Sequence, residues 1–380
     1  MSMAKPKVFL TNPIDRVGYE ILKDADIVTA SDPSQATLRE QIGDADAIIV
    51  RANLPADIFE HGRRLRACVR HGSGLDMIPV DAATAQGIPV ANVPAVNANA
   101  VAEYVVAAML EMAQRRKFRL RDKTLGVIGV GHVGSRVVRN AQALGMRVLQ
   151  NDPPRARAEK PNEFVAIGQV LSEADIISLH VPLTKAGVYS TYHLFAKDTL
   201  AALEDRLPIL INTARGAVID NKALLKAIDG GKVGGVVLDV WENEPNISPE
   251  LLDVVDLATP HIAGYSFDGK VNGTRMIYEA ACKFFQLQPR WTPNLPPPPV
   301  PHIELTVSSG EDDEEVLRRI VRRIYDITTD DAALRKNILT FDKLRAQAFA
   351  HTVKHKPRVE ELATGRVLRA QLTALGFKMG

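Results

Sequence analysis

The chain has 380 residues, of which 46% are hydrophobic and 24% charged, as in ordinary globular proteins with more than one domain. A net charge of +2 is too small to indicate binding to nucleic acid or to a membrane surface. Cys68 and Cys282 are the only cysteines, and they provide neither a disulfide framework nor the spacing of a metal site. The first apolar run, residues 8–10, is too short for a signal peptide or a membrane span, so we expect a cytoplasmic protein.

Residues 7–100 predict a compact α/β unit. Apolar runs at 8–10, 47–50, 67–69 and 88–90 predict buried parallel strands, and the patterns at 17–22 and 34–42 predict helices. Arg51 directly follows one strand, at the edge of the sheet that faces a crevice in such folds. The glycine-interrupted loop at 70–76 offers backbone N–H groups for a carboxylate. A surface ion pair for Arg51 and a plain turn for Ser73 and Gly74 are the structural alternatives.

A long helix is predicted at 97–116, and the stretch that follows it carries the clearest motif. An apolar run, 125–130, enters Gly129-x-Gly131-x-x-Gly134, after which come a helical pattern, a second apolar run and Asp152. Such glycines allow a tight turn, backbone approach to a pyrophosphate, and close packing of helix on strand. The helix N-terminus favours phosphate. Asp152 can bind the adenosine ribose hydroxyls and would repel a 2′-phosphate, which favours NAD over NADP.

Three successive predicted strands deliver polar side chains at their carboxyl ends. The strand at 207–212 leads to Arg215, the strand at 233–240 to Glu244, and the last strand, which begins at 257, to His261. An earlier strand, ending at His180-Val-Pro182, leads to a proline loop where the adenosine half of a cofactor could lie. In an open parallel sheet this edge binds ligands.

The three side chains match the needs of a 2-hydroxy acid that exchanges a hydride with a nicotinamide. Arg215 can hold a carboxylate with two parallel hydrogen bonds, and His261 can take and return the hydroxyl proton near neutral pH. Glu244 can orient the imidazole and favour its charged form. Each residue has a structural alternative: a structural histidine, a loop-capping arginine or a turn glutamate. Their joint position after a dinucleotide motif favours catalysis.

A helix at 268–287 is predicted to return to the first domain, and seven prolines between 289 and 301 predict a stiff linker. The last 80 residues or so begin with a strand at 303–307 and a helix with acidic residues in its first turn and arginines later. The helix has an apolar stripe that so small a unit would bury poorly alone, and pairing with a second copy is the simplest remedy.

Four segments resemble the D-isomer-specific 2-hydroxyacid dehydrogenases: the glycine motif, residues 212–220, residues 238–245 and residues 259–264. The resemblance covers residues 7 to about 290. It implies an NAD-dependent oxidoreductase that acts on CH–OH groups. The implied α/β fold has two doubly wound parallel-sheet domains, namely a Rossmann-type NAD domain and a flavodoxin-like substrate domain. In this chain a small α+β C-terminal domain is expected to follow them. The implied domains are 1–98 with 263–290 for substrate, 99–262 for NAD, a linker at 291–301, and 302–380 for dimerisation.

The resemblance also implies site residues. The implied catalytic residues are Arg215, Glu244 and His261. The cofactor-binding residues are Gly129, Gly131, His132, Val133, Gly134, Asp152, His180, Val181, Pro182, Thr213, Ala214, Arg215, Asp239, His261 and Gly264. The substrate-binding residues are Arg51, Ala52, Gly72, Ser73, Gly74, Arg215, His261 and Tyr265, and no metal is implied.

Within the family, residues 152–156, 260–270 and 325–336 resemble the subfamily that oxidises 4-phospho-D-erythronate in pyridoxal phosphate synthesis and dimerises through its third domain. That subfamily has a serine where this chain has Ala52 and a threonine where it has Gly72. These departures keep open a phosphoglycerate dehydrogenase or a hydroxypyruvate/glyoxylate reductase. A dinucleotide-sensing corepressor is the alternative of another class. The expected partners are thus a small, phosphorylated 2-hydroxy or 2-keto acid and a second copy of the chain.

Overall fold

The structure is a computed structural model that describes residues 5–13, 25–159, 163–203, 206–286, 288–292, 300, 302–305, 310–348, 358–361 and 366–379. The chain forms two compact units, Met1–Val96 with Gly269–Leu295, and Asn97–Asp268 with Pro296–Gly380. The second unit thus contains both the predicted NAD domain and the C-terminal segment. The finer division into three domains and a linker stays a prediction, and most of the linker lies outside the described residues.

All pairings within the three sheets are parallel. The strands are β1 Lys7–Leu10, β2 Asp26–Thr29, β3 Ala47–Val50, β4 Ala67–Arg70, β5 Val90–Ala91, β6 Thr124–Ile128, β7 Arg147–Asn151, β8 Ile176–Leu179, β9 Ile209–Asn212, β10 Gly235–Leu238, β11 Leu257–Ala258, β12 His302–Leu305, β13 Arg358–Glu361 and β14 Lys378–Met379. The helices are α1 Gln35–Gln41, α2 Ile58–His61, α3 Val80–Ala85, α4 Ala98–Arg116, α5 Gly134–Ala143, α6 Pro153–Ala158, α7 Ile167–Glu173, α8 Lys197–Ala201, α9 Asn221–Asp229, α10 Pro249–Val254, α11 Phe267–Phe285, α12 Asp313–Ile324, α13 Ile327–Lys336, α14 Phe341–Gln347 and α15 Arg366–Ala374.

The first unit contains a five-stranded sheet in the order β2-β1-β3-β4-β5. Every residue of β3 is buried, as expected for an apolar run covered on both faces. The predicted strands are confirmed, although the run at 88–90 forms a strand only at Val90–Ala91. The helix predicted at 34–42 is α1, which begins after Ser34 because the Ser34 hydroxyl accepts a hydrogen bond from the Thr37 amide. The helix predicted at 17–22 lies outside the described residues.

The second unit is built on a six-stranded sheet in the order β11-β10-β9-β8-β6-β7. Its central strands are buried along their whole length, which explains their uninterrupted apolar sequences. The chain runs from β6 to β7 on one side and then returns to β8 on the other. The carboxyl ends of β6 and β8 therefore flank the point where strand order reverses, the usual ligand site of this fold.

The stretch after Asp152 differs from the sequence prediction. The Pro-Pro-Arg-Ala-Arg sequence after Asp152 predicts a turn, but the structure has helix α6 there, with Asp152 as its N-cap and proline in its first positions. The Asp152 carboxylate accepts a hydrogen bond from the Arg155 amide, 3.1 Å away. Proline is well tolerated in a first helical turn because the amides there have no intrahelical partner, so the prolines start the helix rather than prevent it.

The C-terminal segment adds a three-stranded sheet, β12-β13-β14, and helices α12 to α15 to the second unit. Three residues of the apolar stripe of α12, Val316, Leu317 and Ile320, are fully buried in the hydrophobic cluster that contains α4, and Val321 and Ile324 pack partly buried against it. The chain therefore covers most of this stripe itself, which weakens the sequence-based reason for pairing with a second copy. Pairing remains a prediction on other grounds.

Across the described ranges, no helix is long and apolar enough to cross a membrane.

Candidate active site

The glycine motif forms the loop between β6 and α5. Gly129 has φ +85°, and a Cβ there would lie 2.8 Å from the backbone carbon of His180 and from Val181, so the loop packs directly on the end of β8. A Cβ at Gly134 would lie 2.0 Å from the Gly129 carbonyl oxygen, whereas one at Gly131 would meet no atom within 4 Å. The first two contacts make helix, strand and loop pack closely. The space at Gly131 fits the approach of a pyrophosphate.

A pocket of about 790 Å³ opens beside this loop. Its lining includes Gly129, Asp152, Val181 and Pro182, which come from the ends of β6, β7 and β8. The structure thus brings together four of the residues that the sequence assigns to cofactor binding. The walls are mostly apolar, as expected around an adenine ring, and Asp152 supplies the acid.

Asp152 is half-buried, and both of its carboxylate oxygens bind protein amides. One accepts from Val130 at 2.8 Å, and the other caps α6. Its predicted role towards a ribose therefore has to use the remaining acceptor capacity of the carboxylate. The exposed Arg157 lines the same pocket, so a cation lies within the pocket that a 2′-phosphate would enter.

Replacing Asp152 by alanine should narrow the preference for NADH over NADPH by about 10–100-fold, the usual weight of hydrogen bonds to a charged group. Because alanine also removes the helix cap, which costs about 0.5–2 kcal/mol of stability, Asp152→Ser is the matched control that keeps a capping oxygen. The measurement is kcat/KM for each cofactor. A wild-type enzyme that prefers NADPH would contradict the role assigned to Asp152.

His180 lies at the end of β8. Its Nε2 lies 2.9 Å from the Ser178 hydroxyl and its Nδ1 lies 3.3 Å from the hydroxyl of Thr213, on the end of β9. Burial lowers the pKa of His180 to about 3, so the imidazole is neutral at physiological pH. We expect His180 to connect the ends of β8 and β9 through hydrogen bonds rather than to act as an acid or base.

Arg215 follows β9 and is held close to the loop after β10. A Cβ at Gly216 would lie 1.9 Å from the backbone carbonyl carbon and oxygen of Trp241, so only glycine allows this backbone contact. The side chain of Asn212 accepts from the Ala214 amide and donates to the Arg215 carbonyl oxygen, both at 3.0 Å, which shapes the turn. Arg215 is half-buried, and its Nη1 donates to the Ala214 carbonyl oxygen at 2.8 Å.

Glu244 and His261 form a direct pair. The Glu244 Oε2 atom lies 2.6 Å from His261 Nδ1, and Oε1 accepts from the Trp241 amide at 2.8 Å. The two side chains are 16% and 24% exposed, so the pair is shielded but reachable. Burial alone would raise the pKa of Glu244. The hydrogen bond and charge of His261, with the Trp241 amide and the charge of Arg345, outweigh it and hold that pKa below its ordinary value. With Nδ1 engaged, Nε2 is the nitrogen left for a substrate.

The backbone of His261 has φ +55°, an uncommon conformation for a residue with a side chain. Asp239, at the end of β10, holds the turn. Its carbonyl oxygen accepts from the His261 amide at 2.7 Å, and its carboxylate accepts from the amides of Ile262 and Ala263 and from the Thr259 hydroxyl. The sequence assigned Asp239 to the cofactor only. The structure adds a positioning role for this residue, which is 1% exposed and whose pKa is raised by burial.

The remaining predicted positions lie close to these elements or in the first unit. Exposed Gly131 and His132 and half-buried Val133 continue the glycine loop, while half-buried Gly264 and Tyr265 continue the turn of His261. In the first unit, the amides of Arg51 and Ala52 both donate to the Thr11 hydroxyl, at 2.8 and 3.1 Å.

The loop at 70–76 lies at the same sheet edge as Arg51, since the His71 amide donates to the Val50 carbonyl oxygen. Arg70 braces this loop by donating to the Gly74 carbonyl oxygen at 3.2 Å. Gly72, Ser73 and Gly74 are half-buried, and Asn92 donates to the Ser73 carbonyl oxygen at 2.6 Å. Their substrate roles stay predictions.

Comparisons with known proteins agree with this arrangement. Residues 95–263 match the profile of the D-isomer specific 2-hydroxyacid dehydrogenase, NAD binding domain. The chain is 41% identical to an erythronate-4-phosphate dehydrogenase of Salinibacter ruber over 87% of this chain and 89% of that protein. It is 42% identical to an erythronate-4-phosphate dehydrogenase of Edwardsiella ictaluri, with 88% and 89% covered.

Solved structures give the same family. The D-lactate dehydrogenase of Aquifex aeolicus, complexed with NAD and lactic acid, has a TM-score of 0.63 and 28% identity, covering 74% of this chain and 95% of that one. The NADPH-dependent glyoxylate/hydroxypyruvate reductase of Sinorhizobium meliloti has a TM-score of 0.64 and 25% identity, with 74% and 94% covered. The predicted α/β fold, the NAD cofactor and the dehydrogenase class are confirmed. The chain belongs to the D-isomer-specific 2-hydroxyacid dehydrogenase family.

Proposed function

We propose that the chain oxidises 4-phospho-D-erythronate to 2-oxo-3-hydroxy-4-phosphobutanoate, in pyridoxal phosphate synthesis in the cytoplasm. The relatives from Salinibacter ruber and Edwardsiella ictaluri carry the name of this activity, and the chain covers most of both. The observation that supports the catalytic part of the proposal is the 2.6 Å contact between Glu244 and His261. These residues follow β10 and β11, and Arg215 follows the neighbouring strand β9.

The proposed chemistry divides among three side chains. Arg215 holds the substrate carboxylate with its forked guanidinium, and so fixes the carbon that bears the hydroxyl. Nε2 of His261 accepts the hydroxyl proton as the C2–H bond breaks, and Glu244 stabilises the imidazolium that results. NAD supplies hydride acceptance at the nicotinamide ring. In reduction, the same histidine returns the proton.

A substrate panel tests the proposal. Turnover of 4-phosphoerythronate, 3-phosphoglycerate, hydroxypyruvate and glyoxylate should be followed through NADH absorbance, in the oxidative direction for the first two and the reductive direction for the others. We expect the highest kcat/KM for 4-phosphoerythronate. Ala52 and Gly72, which replace the serine and threonine of the subfamily, favour the second candidates, a phosphoglycerate dehydrogenase or a hydroxypyruvate/glyoxylate reductase. A higher kcat/KM for 3-phosphoglycerate, hydroxypyruvate or glyoxylate would identify one of these. NADH binding without turnover of any substrate would favour the corepressor.

We also propose that the chain forms a homodimer through residues 302–380, as the subfamily resemblance implies. The full-length protein should sediment with about twice its chain mass of 41.5 kDa. A monomer throughout the micromolar range would contradict the proposal. Deletion of residues 300–380 is a poor test, because it would also uncover the apolar cluster on α4.

A further inference from the structure

Helices α13 and α14 of the C-terminal segment lie against the strand end that carries His261. Asp331 accepts a hydrogen bond from the Ala258 amide in β11 at 2.7 Å, and Arg335 donates to the Leu252 and Val255 carbonyl oxygens. In α14, Phe341 is 1% exposed and belongs to the hydrophobic cluster under β9 and β10. These contacts set the position of Arg345, one helical turn further along α14.

Arg345 approaches the Glu244–His261 pair from this helix. Its Nη1 lies 3.9 Å from Glu244 Oε2, the oxygen that contacts His261, and its Cζ lies 5.8 Å from the centroid of the Tyr265 ring. The Nε atom is enclosed and has no hydrogen-bond partner within the part of the chain that the structure describes. The guanidinium is therefore held by a carboxylate charge and an aromatic face.

We propose that Arg345 is a positioning residue for the dehydrogenase reaction. It acts through Glu244, because its charge limits how strongly that carboxylate stabilises the His261 imidazolium. It also holds the Tyr265 ring in place through the contact between its guanidinium and that ring. The inference rests on the proposed function, because it assumes that His261 is the acid–base group. It assigns to the C-terminal segment a part in the active site that is separate from dimerisation.

The electrostatic reasoning has a definite sign. A cation beside Glu244 favours the carboxylate, and Arg345 is one of the groups that hold the pKa of Glu244 down. The same cation opposes a second positive charge on His261, since both share one oxygen. Among the described residues, buried Asp239 also lies beside His261, since its carbonyl oxygen accepts from the His261 amide, and Tyr265 lies beside Arg345. Arg215 follows the neighbouring strand β9. Without Arg345, Glu244 would stabilise the imidazolium more strongly.

The test compares Arg345→Gln with Arg345→Lys in the full-length protein. The titration of His261 can be followed by NMR on protein labelled with ¹³C-histidine. The chain has nine histidines, and the signal that disappears in His261→Ala is that of His261. Arg345→Gln should raise the measured titration midpoint of His261, and the rise should be partial because the Arg345 side chain is one third exposed. Arg345→Lys should restore most of the wild-type midpoint. Lys343→Gln, an exposed charge change on the same helix, is the matched control and should leave it unchanged.

Activity provides the second readout. In oxidation of 4-phosphoerythronate, the acid limb of the kcat/KM profile should move to higher pH in Arg345→Gln by the same amount as the NMR midpoint. An unchanged or lowered midpoint would overturn the inference. A raised KM with an unmoved profile would also overturn it, since Arg345 would then be a substrate contact. A shifted midpoint in a protein that turns over none of the panel substrates would instead refute the proposed function and leave the coupling between Arg345 and His261 standing.

Discussion

Replacing His261 by alanine should lower turnover by about 10²–10⁴-fold, the usual contribution of a positioned acid–base group. The imidazole is the group that we place on the substrate hydroxyl, and its Nδ1 is already engaged by Glu244 at 2.6 Å. NADH binding should change much less, because the glycine loop and Asp152 lie on other strand ends. Steady-state kinetics and a direct NADH titration measure the two effects.

The chain provides a matched control for this substitution. His193 also pairs with a glutamate, since its Nε2 lies 2.8 Å from Glu242 Oε1, and its backbone likewise has a positive φ of 52°. Its partial exposure, 27%, is close to that of His261. His193→Ala should therefore reproduce the structural cost of losing a paired histidine without the loss of turnover. Equal losses in both variants would mean that His261 is structural.

The parts of the site that the sequence predicts well are those set by local pattern. The glycine spacing and the apolar runs around it predict the β6 loop, because tight packing at Gly129 and Gly134 leaves no room for a side chain. The order of strands then places Arg215, Glu244 and His261 at one sheet edge, since parallel strands end on the same side. Residue type at a strand end is enough for that inference.

The parts that the sequence does not predict depend on long-range contacts. Arg345 lies 84 residues after His261 in a short helix, and its own surroundings contain no motif that points to Glu244. The stripe on α12 is apolar in the sequence, but the sequence does not say whether α4 or a second chain covers it. The prolines after Asp152 suit both a turn and a first helical turn, and the capping hydrogen bond to Arg155 decides between them.

Glu244→Gln should lower kcat by about 10²-fold or more, although the side chain keeps its size; the corresponding change in the serine-protease triad lowers kcat about 10⁴-fold. The Trp241 amide would continue to donate to the amide oxygen, which leaves the NH₂ group facing His261 Nδ1. The imidazole would then have to accept at Nδ1 and carry its proton on Nε2. That tautomer cannot take a proton from the substrate hydroxyl.

The same substitution should change the pH dependence of ketoacid reduction, which needs the imidazolium in the free enzyme. The Glu244 charge stabilises that form, so its removal should move the alkaline limb of kcat/KM for reduction to lower pH, opposite in sign to the shift expected for Arg345→Gln. Glu242→Gln, which weakens the His193 pair, is the control and should leave the limb in place. The measurement is kcat/KM against pH for the three proteins. A Glu244→Gln limb that is unmoved, or moved to higher pH, would show that Glu244 does not stabilise the charged histidine, and the assignment of the pair as the acid–base unit would lose its support.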